Sequence, residues 1–140
     1  MAISEVVFDW EYVGVAGYGR IFRPLIAISL FTAKSMWEPF DFLVDSGADV
    51  SMLPFGMVEV LGLQLDKKNE TESRGIGGFK VKTWRVKIPI RIGEWELEIP
   101  AVVTSDNLTP LILGRLGTLD REFSWIFDHE KRKIVFRKKK

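Results

Sequence analysis

The sequence predicts a single all-β domain with one or two short helices. Apolar and polar residues alternate at a period of two along most of the chain, most clearly from Val81 to Ile92. Turns containing glycine or proline separate these runs, and only two short segments have a helical pattern. The 140 residues, 46% of them hydrophobic, are enough to build one core.

Each element has its own signal. Val, Ile and aromatic residues with alternating polarity predict strands, whereas a proline before a segment and a glycine after it predict a helix. A flexible link of glycines is expected between Gly14 and Gly19. The predicted elements are strands at 21–31, 37–44 and 111–114, helices at 55–61 and 116–123, a surface connection at 63–72, and hairpins at 81–103 and 127–136.

Composition excludes several classes of function. A net charge of +1 is too small to attract the protein electrostatically to nucleic acid or to an anionic membrane, so neither is expected as a partner. The chain has no cysteine and one histidine, His129, which argues against thiol catalysis, a Ser-His pair and a Cys- or multi-His metal site. No cofactor or metal is expected. The N-terminus has no basic start followed by a long apolar segment, so a cytoplasmic protein is expected.

One acidic residue stands at the end of an apolar strand. The run Phe42-Leu43-Val44 leads to Asp45, and Ser46-Gly47-Ala48 follows. Asp-Ser-Gly is also common in surface turns, where the aspartate bonds to its own backbone. Here apolar residues flank the turn on both sides, which places the carboxylate near the core, where an unpaired charge is costly. This residue is therefore the candidate for chemistry.

Three segments together resemble the retropepsin-like aspartic proteases. They are Phe42-Leu43-Val44-Asp45-Ser46-Gly47-Ala48-Asp49, the glycine-rich Arg74-Gly75-Ile76-Gly77-Gly78-Phe79, and Leu111-Ile112-Leu113-Gly114-Arg115. They occur in the order of that family and span most of the chain. The resemblance implies a retropepsin-like acid protease barrel with one lobe per chain. It also implies an N-terminal extension or added strand at 1–20, the protease domain at 21–136 and a basic tail at 137–140.

The resemblance further implies an aspartic endopeptidase that works as a homodimer. No other aspartate in the chain is followed by Ser/Thr-Gly, so one chain supplies half of a two-aspartate site. A symmetric dimer brings two copies of Asp45 together on its axis. The expected partners are a second copy of the chain and a peptide or protein substrate in extended form.

Individual roles follow from the same resemblance. Asp45, Ser46 and Gly47 are the catalytic candidates, and Asp49 and Arg115 are expected to form a structural ion pair. The residues expected to bind substrate are Ala48, Asp49, Gly75, Ile76, Gly77 and Gly78, in a flap and a loop beside the aspartate. Side chains expected to line substrate pockets are Val50, Leu53, Ile76 and Phe79.

Two alternatives remain open from the sequence. The first is a catalytically silent, dimeric peptide-binding module of the same fold. The second is a carboxylate metal site formed by Asp41, Asp45 and Asp49, whose spacing of four would align them on a helix. This segment has the pattern of a strand and a turn, which argues against the metal site.

Overall fold

A computed structural model describes residues 4–17, 19–74 and 78–139 of the protein. In these ranges the chain forms strands and one short α-helix, α1 (Met57–Leu61), together with a single 3-10 turn at Lys67–Asn69. The strands are β1 (Glu5–Asp9), β2 (Glu11–Ala16), β3 (Gly19–Arg23), β4 (Leu25–Phe31), β5 (Trp37–Val44), β6 (Ser51–Pro54), β7 (Glu70–Arg74), β8 (Lys80–Ile92), β9 (Trp95–Thr104), β10 (Ile112–Leu113), β11 (Phe123–Asp128) and β12 (Lys133–Lys138).

Seven strands form the main sheet, in the order β4-β5-β10-β6-β9-β8-β7. Strand β4 also pairs with β8, through Ser29 opposite Arg91 and Leu30 opposite Ile90, so the sheet closes on itself. Closure covers the free edge of β4, leaves β7 paired with β8 alone, and encloses a space that side chains can fill. The predicted all-β barrel with one or two short helices is confirmed, with one α-helix in the described ranges.

The core lies inside this closed sheet. The alternating residues Ile88, Ile90 and Ile92 of β8 are almost fully buried, as the period of two predicts. The neighbouring strand β9 buries Ile99, opposite Ile88, and Val103, opposite Trp84. Each such side chain stabilises the fold by roughly 1.5–3 kcal/mol through removal of apolar surface from water.

A second sheet of three strands, in the order β1-β12-β11, uses both ends of the chain. Strand β1 pairs antiparallel with β12, so that Val6 lies opposite Phe136. Phe136 also contacts Phe123, whose ring lies 5.4 Å from that of Trp95 in the barrel. This chain of aromatic contacts joins the terminal sheet to the main core. Strands β2 and β3 form a separate two-stranded hairpin.

The helix predicted at 116–123 is wrong. Residues 115–122 form consecutive turns instead, in which the backbone oxygen of Thr118 accepts bonds from the N–H groups of Glu122 and Phe123. Gly117 has a φ of +81°, a left-handed conformation that interrupts a helix. The other predicted helix is present as α1, and it ends where expected because Gly62 adopts a left-handed conformation with φ of 64°.

Three further boundaries differ from those predicted. The link of glycines is part of a β2–β3 hairpin, and the surface connection ends in a strand, since β7 begins at Glu70. Strand β12 continues through Arg137 to Lys138, beyond the expected start of the basic tail. Arg137 bonds to Glu5 on the neighbouring strand, so cross-strand pairing extends the strand into the basic run. Among the described residues, no helix has the length and apolar character needed to cross a bilayer.

Candidate active site

Asp45 follows directly after the last residue of β5. Its backbone N–H donates to the carbonyl of Leu113 at 3.1 Å, and the N–H of Leu43 donates to Leu111 at 2.9 Å. Strands β5 and β10 are parallel here, with Val44 opposite Leu113. The first and third of the predicted motifs, which are distant in sequence, are therefore adjacent in the fold. Hydrogen bonds between β5 and the Leu111–Leu113 segment fix the backbone position of Asp45.

The turn after Asp45 orients its carboxylate. The N–H of Gly47 donates to Oδ1 of Asp45 at 2.9 Å, and the N–H of Ala48 donates to its backbone oxygen at 3.2 Å. A Cβ on Gly47 would lie 3.2 Å from that Oδ1, which is tighter than ordinary contact. Asp45 is half-buried, whereas Ser46 and Gly47 are exposed. The Asp45 carboxylate is thus oriented by the turn and partly exposed to solvent in the single chain.

The segments that follow the two motifs lie against each other. The N–H of Arg115 donates to Ala48 at 3.0 Å, and the N–H of Leu116 donates to Asp49 at 2.9 Å. At Gly114 there is no space for a side chain, because a Cβ would lie 2.4 Å from the carbonyl carbon of Val50. Glycine is required at this position for the close approach of two backbones.

Asp49 and Arg115 form an ion pair between Oδ1 and Nη2. The two side chains are exposed to 80% for the aspartate and 45% for the arginine. Solvent screens such a pair, so it contributes about 0–1 kcal/mol to the stability of one chain. The backbone bonds of the same two residues hold the loops together more firmly than their charges do.

Two buried hydroxyls at this junction are not among the sequence-predicted residues. Ser51 is fully buried and its Oγ accepts from the N–H of Gly114 at 3.0 Å. Thr118, also fully buried, donates from Oγ1 to the backbone oxygen of Gly114 at 2.5 Å. A serine inside the apolar run Val50 to Leu53 is a signal that could have identified the first, since buried hydroxyls are nearly always bonded. Thr118 lies in the segment predicted as a helix and has no such signal.

Strands β7 and β8 form the arms of the predicted flap. Their pairing ends at Arg74 opposite Lys80, and Gly78 has a φ of 80°. Gly75, Ile76 and Gly77, the predicted tip, lie outside the described residues.

Two surface grooves lie beside the loops at Asp49 and Leu116. One, of about 610 Å³, is lined by Val50, Asn69, Arg85, Val86, Lys87, Pro100, Ala101, Val102 and Leu116. The other, of about 560 Å³, is lined by Asp49, Arg115, Leu116, Leu119 and Asp120. Leu53 was expected to line a pocket, but it points into the core and is fully buried. Asp45 lines neither of these two grooves.

The Asp45 turn presents a single carboxylate, which cannot complete acid–base hydrolysis alone. Hydrolysis by general acid–base catalysis needs one group that takes a proton and another that gives one. Within residues 4–17, 19–74 and 78–139, no group of three or more His, Asp or Glu side chains is placed to hold a metal ion. Asp41 and Asp49 do not join Asp45 in such a cluster, because the segment is a strand and a turn.

Comparisons with known proteins agree with this geometry. The sequence profile of the family described as aspartyl protease matches residues 36–117, which contain the Asp45 turn, both arms of the flap and the Gly114 junction. No curated protein matches the chain.

Two solved structures have the same fold. A retropepsin-like aspartic protease from Rickettsia conorii is 21% identical and aligns over 96% of this chain and 99% of that one, with a TM-score of 0.62. The retroviral protease-like domain of Ddi1 from Leishmania major is 21% identical and aligns over 77% and 82%, with a TM-score of 0.57. Because the family profile covers more than half of the sequence, the chain belongs to the aspartyl protease family, and its fold is retropepsin-like.

Proposed function

We propose that the protein is an aspartic endopeptidase that acts as a homodimer. The observation that carries this proposal is the oriented, half-buried carboxylate of Asp45 at the surface of a chain with no second Asp-Ser/Thr-Gly turn. An enclosed site with two aspartates then requires another copy of the chain, placed so that the two turns meet on a two-fold axis.

The chemistry follows from two carboxyls held together. Two like charges a few ångströms apart resist simultaneous ionisation, so the pair shares one proton. The ionised carboxyl takes a proton from a water between them, and the protonated carboxyl donates to the oxygen of the scissile carbonyl. The water oxygen bonds to the carbonyl carbon and gives a tetrahedral intermediate without a covalent bond to the enzyme. The carboxyl that took the proton from the water then gives it to the amide nitrogen, the other carboxyl takes back its proton as the carbonyl reforms, and the C–N bond breaks.

The neighbours of Asp45 have supporting roles in this proposal. Ser46, exposed beside the carboxylate, braces the same turn in the other subunit by hydrogen bonding across the axis. The N–H of Gly47 and both backbone groups of Ala48 already form bonds within the chain, so the carbonyl of Gly47 is the group that accepts from a substrate lying as an extended strand. Asp49 with Arg115 supports the loop. Flap residues Gly75–Gly78 close over the substrate and exclude water.

The test compares the native chain with Asp45→Asn and with Asp41→Asn as a matched control. Asp41 is exposed on the same strand, four residues before the turn, and pairs opposite Ala27. Sedimentation measures the oligomeric state, and cleavage of an unfolded protein substrate is followed from acidic to neutral pH. We expect a dimer in all three cases, with cleavage abolished only in Asp45→Asn.

Two outcomes contradict the proposal. A native dimer that cleaves nothing at any pH favours the silent peptide-binding module. A monomer whose cleavage rate is the same with and without the Asp45→Asn substitution contradicts the shared-aspartate mechanism.

A further inference from the structure

The hairpin formed by β2 and β3 stands apart from the core. Within the described part of the chain, its two strands pair only with each other. The two described strands carry five large apolar side chains that neither belong to the core cluster nor pack against it; they are Tyr12, Val13, Val15, Ile21 and Phe22. A two-stranded hairpin without further packing is marginally stable in water. Tyr12, Val13 and Val15 are exposed, whereas Ile21 and Phe22 are half-buried, so the hairpin is only partly covered within one chain.

The register places most of this apolar surface on one side. Tyr12 lies opposite Phe22, and Val15 lies opposite Arg20, so these four side chains share a face, which we name the hairpin face. Tyr12 is 50% exposed and Val15 is 72% exposed. Arg132 lies over the Phe22 ring at 3.8 Å and covers part of one end. The hairpin face is thus an apolar surface flanked by two cations, Arg20 opposite Val15 and Arg132 over Phe22.

The hairpin is joined to the body at two points. Before β2, the N–H of Trp10 donates to the backbone oxygen of Arg132 at 2.8 Å. After β3, Pro24 accepts from the N–H of Val44 at 3.0 Å, and Val44 is the residue before Asp45. Hydrogen-bonded strands lie about 5 Å apart, so the end of β3 is one strand spacing from the strand that carries the aspartate.

A dimer that joins two copies of Asp45 has its two-fold axis near the end of β3, which lies one strand spacing from β5. The two carboxyls have to approach to about 3 Å to share a proton, which fixes the axis beside the turn. A stable interface buries about 800 Å² on each partner, more than a single tight turn offers, so adjacent surface must contribute. Strand β3 runs from this point for five residues, about 17 Å at 3.3 Å per residue.

We propose that the hairpin face packs against a second copy of this chain and forms part of the dimer interface. This inference rests on the proposed function, because the shared site supplies the axis beside which the hairpin lies. This contact would bury the apolar side chains of β2 and β3 that do not pack against the core of their own chain. It also makes the β2–β3 segment a determinant of activity through assembly, without contact to the reacting atoms.

The test is Val15→Asp, with Met36→Asp as the matched control. Met36 is 54% exposed on the turn between β4 and β5, at the end of those strands remote from Asp45. We expect Val15→Asp to raise the dimer dissociation constant at least tenfold in sedimentation equilibrium. Cleavage should fall in parallel at low protein concentration and recover as the concentration rises. Met36→Asp should leave the dissociation constant within about twofold of the native value.

A second measurement avoids a destabilising charge. Because the chain has no cysteine, Val15→Cys can carry a single polarity-sensitive fluorophore, with Met36→Cys as its control. We expect the emission at position 15 to shift to shorter wavelength as the dimer forms, and that at position 36 to stay constant. A labelled dimer with unchanged emission at position 15 overturns the inference.

Different results would contradict the hairpin contact and the homodimeric protease. A native dimer that Val15→Asp leaves intact, with cleavage still dependent on Asp45, overturns the hairpin contact alone. A native chain that stays monomeric at every concentration overturns the proposed function and the inference with it.

Discussion

The side-chain oxygen of Ser51 accepts a 3.0 Å hydrogen bond from the backbone N–H of Gly114, 63 positions away in the sequence. Both residues are buried, and the backbone around them is too close for any other side chain at position 114. This bond fixes the segment after the Asp45 turn against the segment after β10. The position of the carboxylate therefore depends on a hydroxyl six residues away from it.

Replacing this hydroxyl should destabilise the fold. In Ser51→Ala the N–H of Gly114 remains buried without an acceptor, which costs about 1–3 kcal/mol. Urea denaturation of the variant measures the free energy of unfolding. Ser124→Ala, an exposed serine on β11, is the control and should differ from the native protein by less than about 0.5 kcal/mol. Equal effects of the two substitutions would contradict the role of the buried bond.

Adding a methyl group at Gly114 should be more damaging. In Gly114→Ala the new carbon would lie 2.4 Å from the carbonyl carbon of Val50, and backbone cannot move aside as a flexible side chain does. We expect a loss of about 3 kcal/mol in the free energy of unfolding, or failure to fold. Gly17→Ala meets nothing within 4 Å and should change stability by less than about 1 kcal/mol. Thermal and urea unfolding of both variants check this.

Much of the fold could be predicted because it depends on local pattern. Alternation from Val81 to Ile92 gave the strand β8, and Gly62 marked the end of α1. The position of Asp45 at a strand end followed from the apolar run before it. These features depend on the period of side chains along a strand and on the left-handed conformation that glycine permits.

Other features depend on contacts between distant segments and have no local signal. In the turns at 115–122, Gly117 approaches Pro100 so closely that a Cβ would lie 2.7 Å from its Cδ, and the segment around Gly117 does not identify this distant partner. Thr118 uses its hydroxyl to bond the backbone of Gly114, a partner that the sequence around it does not identify. The pairing of β1 with β12 joins the two ends of the chain, and strand pairing at such separation is not encoded in either segment alone.

The Asp49–Arg115 ion pair should contribute less to the free energy of unfolding than the Ser51 hydroxyl does. Asp49 is 80% exposed, so Asp49→Asn should lower the free energy of unfolding of the monomeric chain by less than about 1 kcal/mol. Raising the salt concentration should reduce the difference further, because exposed charges are screened. Urea denaturation at low and high salt, at a protein concentration too low for dimer formation, measures the difference in free energy of unfolding between Asp49→Asn and the native chain. A cost above that of Ser51→Ala would contradict the ranking.

Cleavage should have a bell-shaped dependence on pH. The proposed mechanism needs one protonated and one ionised carboxyl, so the rate falls at low pH, where both are protonated, and at high pH, where both are ionised. Plots of kcat/KM against pH check this, together with circular dichroism at each pH to separate catalysis from unfolding. A rate that keeps rising into the alkaline range, with the fold intact, would exclude a carboxyl pair as the catalyst.

The N-terminal strand should contribute to stability through one face only. On β1, Phe8 points to the core and its ring lies 5.6 Å from that of Phe136, whereas the adjacent Val7 is 49% exposed on the other face. Phe8→Ala removes an aromatic side chain from this contact and should cost about 3 kcal/mol, the lower end of the range for buried phenylalanines, because Phe8 is only partly buried. Val7→Ala on the same strand should cost less than about 1 kcal/mol. Urea denaturation of both variants measures the difference, and equal costs would mean that β1 is not packed against the core as described.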